Sequence, residues 1–165
     1  MAEKTAISWT DHTFNPWWGC AKVSPACDHC YAERDAGRFA PKMTLWGVDA
    51  ARREFGDAHW AEPLKWNKAA ARDGVRRRVF CASMADVFDK NAPDGARDRL
   101  WRLIHDTPSL DWLLLTKRIG NARSMLPASW LPQPVYGHLL DWPHNVRIGA
   151  TCCNQDDVNR DVHKL

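Results

Sequence analysis

The chain has 165 residues, 45% of them hydrophobic, which is enough to bury one core. Its 23 basic and 20 acidic side chains give a formal charge of +3, a balance that does not mark a nucleic-acid-binding protein by charge alone. Residues 1–11 are mixed and polar, unlike a signal peptide, and the apolar run at 112–115 is too short to cross a bilayer, so we expect a cytoplasmic protein without membrane partners.

The first predicted elements surround a cysteine-rich loop. Residues 14–19 (FNPWWG) are predicted to form a short strand that runs into a loop, and Pro16 keeps it from being a regular central strand. A short helix is predicted over residues 28–37, with Asp28 as its N-cap and Gly37 at its end.

The rest of the chain alternates between predicted helices and strands after an irregular insertion at 38–59, which has no sustained hydrophobic period. The predicted strands are apolar runs rich in β-forming residues, at 79–84, 111–116 and 146–151. The predicted helices show helical spacing of apolar residues or clear end signals, at 62–72, 94–106, 119–126 and 155–165.

This alternation predicts an α/β fold in which parallel strands are joined by right-handed crossovers. The strand at 111–116 is almost continuously hydrophobic, as expected for a strand that is covered on both faces. About four βα units cannot close a barrel. We therefore expect residues 1–165 to form a single partial parallel βα barrel that is truncated at its C-terminal side.

Three cysteines lie within eleven residues in the loop 20–30, directly after the first predicted strand: Cys20, Cys27 and Cys30. Thiolates are soft ligands that select iron or zinc. The Cys-x-x-Cys half places two sulfurs at the predicted start of a helix, where the helix N-terminus offsets negative charge. The spacing predicts a metal centre.

The spacing of the cysteines alone favours neither iron nor zinc clearly. A structural zinc site needs four protein ligands, and the fourth could be His12, His29 or Cys81. A four-iron cluster held by three cysteines would leave one iron open to a small molecule. Reduced cysteines in an ordinary loop are the third alternative.

Three motifs resemble a family of uncharacterised phage and bacterial three-cysteine proteins that is regarded as radical S-adenosylmethionine (SAM)-like. The first is the segment around the cysteines, with FNPWWGC at 14–20 and SPACDHCYAE at 24–33. The others, SMADVF at 83–88 and LTKR at 115–118, follow in the same order as in that family. The resemblance covers essentially the whole chain.

The resemblance implies a fold of the radical SAM type in which Cys20, Cys27 and Cys30 hold a [4Fe–4S] cluster whose open iron binds SAM. Enzymes of this type also need a protein that supplies the reducing electron, and they act on a substrate that the residues here do not identify. Six residues separate the first two cysteines where three are usual, and His29 stands where an aromatic residue often precedes the last cysteine.

Polar side chains follow each predicted strand, where parallel βα folds gather their chemistry. We expect Ser83 and Asp86 to receive the amino group or ribose hydroxyls of SAM, and Lys117 or Arg118 to meet its carboxylate or an anionic substrate. The remaining strand-end candidates for cofactor binding are Thr116 and Asn154. The alternative for each of these strand-end residues is a structural role in a turn, a helix cap or a surface ion pair.

Other chemistry-bearing residues are predicted to be structural. The ten tryptophans are expected mainly in packing, although one or two could stack on a base or an adenine ring. Cys81 is expected to pack as a small hydrophobic residue, and the basic run at 76–78 is expected to be a solvated helix end. Packing is also expected for the adjacent Cys152 and Cys153, although cysteines at a strand end could serve a second metal or a redox step.

The leading hypothesis is therefore a radical SAM-like protein. The alternative is a zinc-stabilised module that binds nucleic acid or protein through its tryptophans and its basic run, without catalysis.

Overall fold

A computed structural model describes residues 5–131 and 142–165, and its centre is a four-stranded parallel β-sheet. The strands lie in the sheet in chain order, so each neighbouring pair is joined by a crossover. They are β1 (His12–Phe14), β2 (Arg77–Cys81), β3 (Leu110–Thr116) and β4 (Val146–Ala150). The predicted α/β fold with parallel strands is confirmed, and the partial barrel stays a prediction.

Helices occupy the crossovers and flank the strands. They are α1 (Tyr31–Phe39), α2 (Asp57–Trp60), α3 (Glu62–Asp73), α4 (Ala96–His105), α5 (Ile119–Met125) and α6 (Gln155–Asp161). Single 3-10 turns lie at Pro25–Cys27, Ala128–Trp130 and Val162–Lys164. In the two described ranges, no helix is long and apolar enough to cross a membrane.

The predicted elements from residue 62 onward agree with the structure within a few residues at their ends. Gly74 ends α3 as expected, in the left-handed conformation with φ 65°. The segment 127–145, for which neither a helix nor a strand is predicted, contains the turn Ala128–Trp130. Its part at 132–141 lies outside the described residues.

The elements around the cysteine loop differ from the prediction. The first strand is His12–Phe14 rather than 14–19, because the chain leaves the sheet at Asn15. Asp28 is not a helix N-cap: its backbone N–H closes the preceding 3-10 turn on Pro25, and Cys30 caps α1 instead. Gly37 lies inside α1, which continues to Phe39.

Helices α2 to α5 cover one face of the sheet and form the core with it. From the strands, Phe14, Val79, Trp112 and other alternate residues point into this core. The helices contribute Trp66, Leu100, Ile104 and their neighbours, and burial of each large side chain stabilises the fold by roughly 1.5–3 kcal/mol. Six tryptophans are buried, which confirms packing as their main role: Trp17, Trp60, Trp66, Trp101, Trp112 and Trp130.

The opposite face of the sheet is more open. Phe80 and Leu113 share a row across it, and Phe80 is covered by the ring of Trp9, whose centroid lies 4.8 Å away. Leu115 on the same face of β3 is 39% exposed. The expectation that this strand is covered on both faces is wrong, since only alternate residues meet the helical layer.

The C-terminal helix buries acidic side chains and leaves its apolar side chains exposed. Val158, Val162 and Leu165 are exposed, whereas Asp157 and Asp161 are buried. The two carboxylates tolerate burial because Arg160 pairs with both of them, at 2.8 Å and 2.5 Å.

The predicted insertion at 38–59 is irregular between α1 and α2, as expected, and it packs against the cysteine loop. Isolated bridges join Cys20 to Trp46 and Trp18 to Arg53. Arg52 is buried, and its Nε donates a hydrogen bond to the Asp89 carboxylate at 2.9 Å. The insertion is thereby fixed to the loop after β2.

Candidate functional site

A cavity of about 520 Å³ lies at the carboxyl ends of the strands, against the open face of the sheet. Seven of the nine predicted site residues line it: Cys20, Cys27, Cys30, Ser83, Asp86, Thr116 and Lys117. They come together because the carboxyl ends of parallel strands meet at one edge. Its apolar walls include Ile7, Trp9, Phe80 and Leu115.

Asn15 joins the ends of the first two strands beneath this cavity. Its side chain is fully buried, and its Oδ1 accepts a hydrogen bond from the backbone N–H of Met84 at 2.6 Å. Its Nδ2 donates to the hydroxyl of Ser83 at 3.0 Å. The FNPWWG segment therefore holds the SMADVF segment in place, which sequence patterns alone did not reveal.

Gly19 allows the cysteine loop to pass close to the insertion. Its φ of 114° favours glycine, and a Cβ atom there would lie 2.5 Å from the carbonyl oxygen of Leu45. The close approach lets the backbone N–H of Cys20 donate to that same carbonyl at 3.2 Å. Gly19 thus fixes the position at which the first cysteine enters the cavity.

The three thiols have different surroundings. Cys27 is buried, and its sulfur lies 3.9 Å from the hydroxyl of Ser24. Cys30 is half-buried at the N-cap of the nine-residue helix α1, where the helix dipole favours negative charge. Cys20 is half-buried and accepts a hydrogen bond from Nη1 of Arg118 at 3.2 Å.

Arg118 is buried and connects the cysteine loop to the strand ends. Its Nη2 donates to the carbonyl of Ala21 at 2.6 Å, and its Nη1 also reaches the Asp86 carboxylate at 3.2 Å. A buried guanidinium with these partners has little freedom to reach a ligand. Its expected contact with a carboxylate of SAM or of a substrate finds no support in this arrangement.

Asp86 accepts four hydrogen bonds within the protein. The hydroxyl of Thr116 and the backbone N–H of Phe88 donate to Oδ1. The backbone N–H of Lys117 and the guanidinium Nη1 of Arg118 donate to Oδ2. Since a carboxylate has about four acceptor positions, those of Asp86 are occupied. Asp86 and Thr116 therefore position the loop after β3.

The electrostatic environment of Cys20 has two opposing parts. Burial raises the pKa of the Cys20 thiol above its ordinary value, and the charge of Arg118 offsets part of that increase. A metal that binds this sulfur would displace its proton. Arg118 is then placed to balance the charge of the thiolate that results.

The three cysteines are donors of the kind that soft metal ions select. Within the described ranges, no group of three or more His, Cys, Asp and Glu side chains is arranged so that it could hold a metal ion as it stands. The three thiols nevertheless line one cavity and lie beside a buried cation, which suits a set of negatively charged thiolates.

The candidates for a fourth zinc ligand lie elsewhere. The ring of His12 stacks on Trp66 with centroids 4.4 Å apart, and Cys81 is fully buried in the core, where burial raises the pKa of its thiol. His29 is exposed and lines a separate depression with Cys30. Packing as the role of Cys81 is confirmed.

The residues after β4 have local roles. Asn154 caps α6 by accepting a hydrogen bond from the backbone N–H of Asp157 at 2.8 Å, and it lies outside the cavity lining. Cys152 and Cys153 are exposed, so their expected packing is wrong. Cys153 is held at the surface because its thiol and its N–H both donate to Asp157.

The basic run at 76–78 belongs to the other end of the sheet. Arg76 pairs with Asp111 at 2.7 Å, Arg77 with Asp73 at 2.9 Å and Arg78 with Asp11 at 3.5 Å. Arg77 and Arg78 begin β2 and Arg76 directly precedes it, so the run is not a helix end. Its charges are engaged within the protein, away from the cavity.

The comparisons with known proteins connect the chain to one family. A family model described as "Protein of unknown function (DUF5131)" matches residues 4–165. Neither the curated proteins nor the solved structures gave a match. Because the match spans almost the whole sequence, the chain belongs to the DUF5131 family of proteins of unknown function.

Proposed function

We propose that the chain is a radical SAM-like protein that holds a [4Fe–4S] cluster through Cys20, Cys27 and Cys30 and binds SAM in the adjoining cavity. The observation that carries the proposal is the shared lining: three cysteines and the polar residues after β2 and β3 face one cavity at the carboxyl edge of a parallel sheet. The resemblance of the three motifs adds the expected chemistry.

A bound cluster with one open iron would supply an electron to SAM, and radical chemistry on a substrate would follow. The protein's own contribution begins with Arg118, whose charge balances the thiolate of Cys20. Cys30 gains a further favourable interaction from the N-terminus of α1. These two features favour the thiolate forms that a cluster requires.

Lys117 and Ser83 are the groups best placed to meet SAM. Lys117 lines the cavity, and in the part of the chain that the structure describes its ammonium group takes part in no ion pair, so it is available to a carboxylate. The half-buried hydroxyl of Ser83 faces the same space, held by Asn15. Asp86 and Thr116 act indirectly, because their hydrogen bonds fix the backbone of Lys117 and Arg118.

The apolar wall of the cavity serves to exclude water. Trp9 and Phe80 pack together at one side, and Leu115 adds an aliphatic surface. Exclusion of water strengthens electrostatic contacts at the polar end and protects reactive species from side reactions.

Calorimetric titration of the anaerobic, iron-loaded protein with SAM tests the proposal. We expect saturable binding that weakens about tenfold in Lys117→Gln, because a charge-assisted contact is lost. Lys68→Gln is the matched control, since Lys68 is an exposed residue of α3. Iron-loaded protein that takes up no SAM would remove the cofactor from the proposal.

A further inference from the structure

A second groove, of about 540 Å³, adjoins the cavity at the same edge of the sheet. Ala21, Lys22 and Lys117 line both spaces, so the two are contiguous. The groove runs between the cysteine loop, the loops after β2 and β3, and α6 with the turn that follows it. It is separate from the basic run at 76–78.

Positive charge dominates the groove. Six cationic side chains line it: Lys22, Lys90, Lys117, Arg118, Arg160 and Lys164. Four of them form ion pairs, Lys22 with Glu33, Arg118 with Asp86, and Arg160 and Lys164 with Asp161. The two carboxylates in the lining are already engaged, since Asp89 pairs with Arg52, and Asp161 pairs with Arg160 and Lys164. Over residues 5–131 and 142–165, neither Lys90 nor Lys117 takes part in an ion pair. Their charges are therefore available to an anionic ligand.

The adjoining cavity offers aromatic rings next to this charge. Trp9 and Tyr31 are 41% and 50% exposed, and Trp46 also lines the space. The hydroxyl of Tyr31 donates to the carbonyl of Ser83 at 3.0 Å, which fixes the direction of its ring. A charged groove that leads to exposed aromatic rings is typical of proteins that bind single-stranded nucleic acid, whereas an acidic peptide would need the charges without the rings.

We propose that the groove binds the phosphodiester backbone of a single-stranded nucleic acid and that the adjoining cavity receives one of its bases. The inference names a substrate class for the proposed radical SAM-like site and rests on that function. Lys90 contacts a phosphate, and Trp9 stacks on the base that enters the cavity. Lys117 lines both spaces, so its ammonium group meets a phosphate on the side of the groove and the SAM carboxylate on the side of the cavity. The contacts to the backbone are independent of sequence, so the preference is for single strands in general.

Fluorescence anisotropy with labelled single-stranded DNA and RNA of about 12 nucleotides tests the inference. The double variant Lys90→Gln/Lys117→Gln should weaken binding on the order of tenfold at about 0.1 M salt and lower the slope of log K against log salt by about 1.4. Trp9→Leu should weaken binding about fivefold and leave that slope unchanged. The matched control is Lys42→Gln/Lys68→Gln, which removes the same charge from exposed lysines outside both linings.

The competing ligands are ATP, a duplex of the same sequence and polyglutamate. Equal or tighter binding of any of them, no binding of the single strands, or equal losses in the two double variants would overturn the inference. Iron content is measured on the same samples, so that the two proposals fail separately. If the protein contains iron but does not bind oligonucleotides, only the nucleic-acid proposal is wrong. If the protein contains no iron but still binds oligonucleotides through Lys90 and Lys117, only the cluster proposal is wrong.

Discussion

The guanidinium of Arg118 donates a hydrogen bond to the thiol of Cys20, with Nη1 and Sγ 3.2 Å apart. The two residues are 98 positions apart in the chain, and the same nitrogen also donates a hydrogen bond to the Asp86 carboxylate. This contact joins the first cysteine to the loop after β3. It makes Arg118 a positioning residue for the proposed cluster.

Replacement of Arg118 should lower iron retention as well as fold stability, because Arg118 is also the buried ion-pair partner of Asp86. A charge-assisted hydrogen bond to a buried group contributes about 1.5–3 kcal/mol, so Arg118→Gln should weaken iron retention by about tenfold or more. Arg118→Lys should restore only part of the iron retention. It keeps the positive charge, but one ammonium group cannot donate to Cys20, Ala21 and Asp86 together. Iron content after dialysis against a chelator measures the effect.

Arg99→Gln is the control for that series, since Arg99 forms an exposed ion pair with Asp57. If Arg118→Gln retains as much iron as Arg99→Gln does, Arg118 has no part in holding the cysteine site.

Asp86→Asn should be strongly destabilising. The Asp86–Arg118 pair is buried, and the carboxylate accepts a hydrogen bond from the backbone N–H of Lys117. The NH2 group of an asparagine is itself a donor, so it would leave such N–H groups without an acceptor. Loss of one partner of a buried pair costs about 3–5 kcal/mol. Asp111→Asn breaks the half-exposed pair with Arg76 and should cost less than about 1 kcal/mol. Urea unfolding compares them, and similar losses would argue against the buried network.

Two glycine substitutions should have opposite effects on stability. Gly19→Ala places a Cβ 2.5 Å from the carbonyl of Leu45 at a positive φ, so it should cost about 3 kcal/mol or more and displace Cys20. Gly37→Ala adds a methyl group to α1 in open space and should stabilise by about 0.5–1 kcal/mol. Thermal unfolding measures both, and a neutral Gly19→Ala would show that the loop does not depend on this close approach.

Acid should weaken the C-terminal helix through Asp161. The hydrogen bond from Arg160, with a smaller contribution from Lys164, lowers the pKa of Asp161 to about 2 from its ordinary value of 3.8. Because the folded pKa is depressed, this stabilisation is present above about pH 4 and is lost as the pH falls towards 2. Asp161→Asn should therefore lose less stability than the wild type between pH 4 and pH 2, measured by urea unfolding.

Asp156→Asn is the matched control for the acid series, because Asp156 is an exposed neighbour on the same helix. A wild-type curve that parallels Asp161→Asn throughout this range would exclude the linkage.

The sequence was most informative where burial alone decides the structure. The strands β3 and β4 follow apolar runs, and the residues after β2 and β3 share one cavity because parallel strands end at the same edge. Seven predicted site residues therefore lie together, although the first and the last of them, Cys20 and Lys117, are 97 positions apart in the chain.

The sequence was less informative where polar contacts override the local pattern. The first strand ends early because Asn15 is used to bond the loop after β2, and α6 buries Asp157 and Asp161 because Arg160 neutralises them. The contact between Arg118 and Cys20 has no local signature at all. Partners of this kind become visible only when the chain is folded.

Iron and acid-labile sulfide analysis of the protein isolated without oxygen tests the central claim most directly. We predict brown protein with about four irons and four sulfides per chain, lost in Cys20→Ser, Cys27→Ser and Cys30→Ser and retained in Cys152→Ser and Cys153→Ser, whose thiols are exposed outside the cavity. Colourless protein that holds one zinc, or equal loss of iron in all five variants, would contradict the account.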